Sequence, residues 1–265
     1  MRTILYILVI ITTVLAAFSF RTKKHEVNLT DNEYKVLTVQ GRIIFENSGK
    51  DMERGDLYVT GTPLNFTTIS SRAAIINDIN GRYVISSNKG KLNVLPAANN
   101  VMSRSNAAIL NAVDLKNHFS GRYLVIKRGE VQISSENFPM NENEFFYLTY
   151  MHNGEEIAKK LRSEGDFLII DAEEIFKIDG KSIEIEEKEM TLFYKSDKSS
   201  KINTFTPVFP DAEILKQEVG ILLETYQAES NSKKINEITG FLNDFYGKPN
   251  KKSLSDWLKA EFELE

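Results

Sequence analysis

The chain holds three histidines, at positions 25, 118 and 152, and no cysteine. Without cysteine there are no disulfides, thiolate zinc sites, iron–sulfur clusters or cysteine nucleophiles. The histidines lie far apart, and none falls in an H-x-x-x-H or H-E-x-x-H pattern, so no helix face offers the paired imidazoles of a zinc site. His118 ends an expected helix beside Phe119, where an imidazole caps terminal carbonyls. His152 opens a hairpin turn with Glu155 and Glu156 close behind. These three suit an acid–base cluster, although a solvated turn is the default for a histidine outside any motif. Asp171, Glu173 and Glu174 follow the apolar run Phe167-Leu168-Ile169-Ile170. Glycoside hydrolysis needs two carboxylates at a set separation with stacking aromatics; a charged loop after a buried strand needs neither. The chain has no G-x-S-x-G elbow, no phosphate-binding G-x-x-x-x-G-K-[ST] loop, no strand followed by G-x-G-x-x-G, and no calcium loop at Asp179-Gly180. These residues predict a protein that is not an enzyme, with no cofactor and no metal site.

The elements that position these residues follow from composition and pattern. The 265 residues suit one large domain or two small ones. Lys and Arg number 33 against 37 Asp and Glu, a net charge of −4. That balance supplies no basic field for a nucleic acid partner. Residues Thr3 to Phe20 carry no charge, and small residues at Ala16, Ala17 and Ser19 precede the basic Arg21, Lys23 and Lys24. Residues 1–20 are therefore either a signal peptide, cleaved before Phe20, or a retained membrane anchor. Both readings predict export to the periplasm or cell envelope, and the second makes the membrane itself a partner. Polar residues 21–33 read as a linker.

From 34 to about 200 the period is two. Short β-branched or aromatic runs flank glycine turns, as around Gly55-Asp56, Asn88-Lys89-Gly90 and Arg128-Gly129-Glu130, which is the pattern of strands in hairpins. Asn153-Gly154 and Asp179-Gly180 are sharper turn signals, because both residues of each pair tolerate positive φ. They predict a strand over Gly154 to Leu161 and another at Ile183-Glu184-Ile185. Glu184, Glu186, Glu187 and Glu189 would then line the solvent face of an edge strand. One helix is expected from Ser105 to Phe119, and Ser196 to Asn203 reads as a polar linker. Residues 208–265 turn helical, with apolar stripes behind Asp211 and Ser232, a stop at Gly247-Lys248-Pro249, and a last helix opening at Ser253-Leu254-Ser255-Asp256. The predicted fold class is mainly β with an α-helical C-terminal part (α+β), its body a β-roll or sandwich of short antiparallel strands. Gly81-Arg82-Tyr83-Val84 is echoed by Gly121-Arg122-Tyr123-Leu124; recurrent turn chemistry explains the echo more economically than duplication.

Over residues 39–95, VQGRIIFENSGK leads to MERGDLYVTGTPLNFTTISSRAAII and then NDINGRYVISSNKGKLNVL. This stretch resembles the periplasmic β domain of FecR-type proteins. The resemblance implies short strands stacked into a small solenoid, with Gly55 and Gly81 at turns and Ile75-Ile76 in the core. FecR-type regulators carry a cytoplasmic anti-sigma segment before their membrane span. Only Met1-Arg2 precede the apolar run in this sequence, so the resemblance does not extend to sigma-factor control.

The expectation is a non-enzymatic cell-envelope protein acting as a scaffold or protein-interaction module, with other envelope proteins as partners. Trp257, Leu258 and Phe262 of the terminal amphipathic helix are the candidate contact residues. The alternative is a FecR-like envelope sensor or small-ligand-binding domain with an apolar pocket lined by Phe145, Phe146, Tyr147 and Tyr150. A hydrolase built on His152 with Glu155 or Glu156 comes third.

Overall fold

Short apolar runs separated by tight turns bury their apolar face most directly as antiparallel hairpins. A computed structural model describes residues 29–88, 91–96 and 108–265; the N-terminal apolar segment lies outside them. Eight strands come first: β1 (Glu33–Gln40), β2 (Ile43–Phe45), β3 (Lys50–Asp51), β4 (Leu57–Val59), β5 (Leu64–Phe66), β6 (Arg72–Asn77), β7 (Gly81–Asn88) and β8 (Lys91–Pro96). They form a five-stranded sheet ordered β4-β1-β6-β7-β8 and a three-stranded sheet ordered β3-β2-β5. Gly55 and Gly81 take positive φ at turns, as expected. Every pairing among these strands is antiparallel, so residues 39–95 build hairpins and not the stacked solenoid that the FecR resemblance implies.

Strand side chains alternate between faces, and β6 is covered on both. Ala73 and Ile75 pack with Val36, Ile43 and Tyr58 toward the small sheet, while Ala74 and Ile76 join Leu37 under the C-terminal helices. A bulge between Val36 and Thr38 interrupts the alternation in β1. Leu37 and Thr38 consequently both face the helices.

The chain continues through α1 (Ala112–His118), β9 (Gly121–Leu124), β10 (Arg128–Gln132), β11 (Phe145–His152), β12 (Glu155–Lys160), β13 (Ser163–Glu164), β14 (Phe167–Asp171), α2 (Ala172–Ile175), β15 (Lys177–Ile178), β16 (Lys181–Ser182), β17 (Met190–Lys195) and β18 (Ser199–Val208). It ends with α3 (Ala212–Thr225), α4 (Asn231–Phe245), β19 (Lys248–Pro249) and α5 (Lys251–Phe262). A six-stranded sheet, β12-β11-β17-β18-β9-β19, shares one core with the small sheet β10-β14-β13. Strand β9 is the seam of the molecule. Its Tyr123, with the following Val125, enters this sandwich core, while Leu124 and Ile126 enter the helical core.

The fold is mainly β with an α-helical C-terminal part, as predicted. Both sharp turns are hairpins: Asn153 and Gly154 join β11 to β12, and Asp179 and Gly180 join β15 to β16, all four with positive φ. Elsewhere the boundaries move. Residues 183–189 pair with no strand, because Arg122 holds Glu187 and Lys188 lies over Tyr150 and Phe176 in place of a ladder. The expected linker Ser196 to Asn203 mostly belongs to β18, where pairing with β17 satisfies the backbone and lets polar side chains face solvent. Of the helix expected from Ser105 to Phe119, residues 105–107 lie outside the described residues; the described helix begins at Ala112, capped by Asn111, while Ile109 bridges to Ile133. Ser230 and Asn250, not Ser232 and Ser253, cap α4 and α5.

The helical stripes close over the sheet. Leu215, Val219 and Leu222 of α3, Ile238, Phe241, Leu242 and Phe245 of α4, and Leu254, Trp257 and Leu258 of α5 bury one shared core with Leu37, Ala74 and Ile76. The polar residues on the sheet's helix-facing side each find a partner. Lys35 pairs with Glu224 at 2.9 Å. Thr38 and the Tyr246 hydroxyl, the latter at 2.6 Å, bond Glu218, which is only 1% exposed and has Arg54 3.6 Å away. Burial raises the Glu218 carboxyl above its ordinary range despite these bonds.

Candidate functional site

The expected site residues do not converge. Trp257 and Leu258 are 6% and 1% exposed, and Phe262 packs edge-on against Trp257 at 5.4 Å. These side chains hold α5 on the core and offer no free apolar face. On β11, Phe146 and Tyr150 point into the sandwich core, whereas Phe145 and Tyr147 occupy the opposite face, with Tyr147 stacked on Phe193 at 5.0 Å. A strand alternates, so four such residues cannot line one pocket. A recess of about 290 Å³ between Met140 and Arg162 touches Phe145 and Phe146 but neither tyrosine.

His152 stands at the tip of the β11–β12 hairpin and accepts from the Asn153 side chain at 3.2 Å. Glu155 is its cross-strand neighbour, and both Glu155 and Glu156 are exposed to solvent. Asp171 caps α2 through the Glu173 amide, and Glu174 pairs with Arg162 at 3.0 Å. These carboxylates therefore have structural partners. His25 lies outside the described residues. No group of three histidine, aspartate or glutamate side chains able to hold a metal occurs among the described residues. None of their helices is long and apolar enough to cross a membrane.

His118 is partly buried, with Nε2 2.8 Å from the Tyr123 hydroxyl. Burial, helped by the charge of Lys248, depresses its pKa to about 4. Burial also raises the Tyr123 pKa, so a protonated phenol shares this hydrogen bond with a neutral imidazole. Protonating His118 thus opposes folding: its contribution is intact above the unfolded value near 6.5 and is lost as pH falls through about 4. In urea titrations, the native protein is expected to lose about 2 kcal/mol more between pH 6.5 and 4.5 than His118→Gln. Parallel pH profiles would exclude this role. Glu261, held near 2 by Lys127 and Lys216, loses its contribution only as pH falls below the ordinary carboxylate range.

A larger cleft of about 760 Å³ opens where β1, β6 and β7 end beside β9, lined by Gln40, Arg72, Ser86, Ser87, Arg122 and Glu187. Antiparallel register builds one wall, since Arg72 lies directly across from Gln40 on one side and from Ser86 on the other. The Gln40 side-chain oxygen accepts from Arg72 Nε at 2.7 Å, and the guanidinium carbon lies 4.9 Å from the centre of the Phe245 ring. No hydrogen bond is made by the terminal nitrogens of Arg72 among the described residues. Burial lowers the Arg72 pKa, and the nearby Arg122 charge lowers it further.

Arg122 completes the site from the opposite side. Its Nη1 donates to the Phe245 carbonyl at 2.5 Å, and its Nη2 donates to both carboxylate oxygens of Glu187 at 2.7 and 2.8 Å. Phe245, the last residue of α4, thus positions one arginine through its ring and the other through its carbonyl. The sequence echo acquires a physical meaning here: the arginines of both Gly-Arg-Tyr strands reach α4, Arg82 along its length and Arg122 at its end. Gly41 and Ser71 shape the floor. Gly41 has φ +71°, and a Cβ there would lie 2.6 Å from the Ser71 hydroxyl.

The site is thus a polar cleft with two guanidinium groups, serine hydroxyls and one carboxylate, an inventory suited to binding by hydrogen bonds and charge. Its residues come from five segments, and no sequence signal placed them together. No protein family, curated protein or solved structure matches the chain.

Proposed function

We propose that the protein is a non-catalytic binding module whose recognition site is the Arg72–Arg122 cleft, with the C-terminal helices as the buttress that holds it open. The observation that carries this reading is Arg72 itself. It is a partly buried guanidinium, fixed by Gln40 and Phe245, with terminal donors left over beside a cleft of about 760 Å³. Its terminal nitrogens are not among the buried unpartnered atoms, so water serves them and they stay available to a ligand. The exported location is proposed from the apolar residues 3–20.

Thermal unfolding with inorganic phosphate, citrate and glucose provides the test. A probe that binds this cleft, at about one hundred times its Kd, stabilises the native protein by about 2.7 kcal/mol and leaves Arg72→Met unchanged. Equal stabilisation of both proteins would move binding elsewhere and overturn the assignment.

A scaffold reading is favoured by one feature. Strand β4 ends its sheet and exposes Leu57 and Val59, at 47% and 39%, an edge suited to strand addition by another envelope protein. With three residues it is a short template, and the reading stands second.

A further inference from the structure

Resting on the reading of the cleft as a ligand site, we infer that it selects an anionic oxygen group, carboxylate or phosphate, and that Glu187 is the internal competitor occupying that group's place. Two guanidinium groups line the cleft; Glu187 is the one carboxylate among its lining residues, and Asp244, paired with Arg82, also acts on Arg72 from nearby. Arg122 already holds a carboxylate, with both Glu187 oxygens on its Nη2 at 2.7 and 2.8 Å. The terminal donors of Arg72 stand in the same cleft without a hydrogen bond among the described residues. An anion reaching both arginines would satisfy more donors than Glu187 does.

Glu187 is placed to yield. Its side chain is 49% exposed, and it sits in residues 183–189, which belong to no strand. Exposed ion pairs are weak, because water and salt compete for both charges. Releasing Glu187 therefore costs little, whereas an incoming anion gains the Arg72 donors as well. Ser86, directly across from Arg72, adds a hydroxyl donor on the β7 wall. The like charge of Arg122 and the burial that disfavour the Arg72 cation are both offset by an anion in the cleft.

The test is isothermal titration of the full-length chain with sodium phosphate, citrate and the neutral polyol xylitol at constant ionic strength. An anion is expected to bind the native protein, xylitol is not, and Glu187→Gln is expected to tighten that anion about fivefold, the worth of an exposed pair. Arg72→Gln should weaken it at least tenfold, as loss of a charged hydrogen bond does. Tightening confined to phosphate identifies a phosphoryl ligand, and tightening confined to citrate identifies a carboxylate. If an anion binds through Arg72 but Glu187→Gln does not tighten it, the competitor role is overturned and the cleft reading survives. If xylitol binds through Arg72 and neither anion does, the anion class is overturned and the cleft reading again survives. Binding by no probe at about 10 mM, far above a Kd of 1 mM, overturns the inference. A thermal unfolding curve for each variant separates lost binding from lost folding.

Discussion

Gly247→Ala is expected to lower stability by about 4 kcal/mol, the sum of left-handed backbone strain and overpacking. Gly247 follows the cap of α4 with φ +107°, and a Cβ there would sit 2.4 Å from the Arg122 carbonyl oxygen and 2.5 Å from its carbon. Both obstacles are backbone, so no side-chain rotation relieves them. The chain needs this close approach to turn from α4 into β19, which pairs in parallel with Tyr123 and Leu124 of β9. Pushing the segment away separates β19 from the seam between the two cores and displaces Arg122 from the cleft. A fall in melting temperature of roughly 8–16 °C, with weakened ligand binding, is the expected readout. An unchanged urea midpoint would show that the turn adapts without cost.

Arg82→Met is expected to cost about 3–5 kcal/mol, the range for breaking a buried ion pair from one side. The Arg82 side chain is 3% exposed; its Nη2 donates to Asp244 at 2.8 Å and its Nη1 to the Glu237 carbonyl at 2.9 Å. Burial raises the pKa of Asp244 while the Arg82 charge opposes that rise, so removing the guanidinium leaves the carboxyl poorly compensated. Gly240 supplies a sharper check. A Cβ at this helical position would lie 2.8 Å from Arg82 Nη2, so the absent side chain makes room for the arginine. Alanine in a helix interior gains about 1 kcal/mol over glycine. Gly240→Ala should therefore destabilise the native protein yet stabilise Arg82→Met by about that amount. A double-mutant cycle measures the reversal, and additive effects would contradict the close packing.

Such contacts show where local reading ends. Asn153-Gly154 and Asp179-Gly180 announced their hairpins because positive φ at adjacent residues is a property of the pair itself. Asp211 and the stripe behind it announced α3 for the same local reason. Residues 183–189 misled: alternating Ile and Glu suit an edge strand, but a strand needs a partner, and one long-range ion pair, Arg122 with Glu187, anchors the segment instead. Trp257 and Leu258 carried a stripe that more often packs on a core than awaits a partner, and the distant surface of Leu37, Ala74 and Ile76 decided for the core. The bulge in β1 left no mark in the alternation of its residues, yet it turned Thr38 toward Glu218.

The sequence by itself determined the fold class and those elements whose apolar periodicity, turn residues and caps act within a few positions of one another. It also determined the absence of thiol chemistry, which composition alone excludes. Only the tertiary structure decided the candidate site. Gln40, Arg72, Arg122 and Glu187 come from separate segments, and Phe245, far from all of them in the chain, sets the positions of both arginines. Contacts of that range follow from which faces pack on which, and folding the helices back over the first sheet is what brought these five residues together.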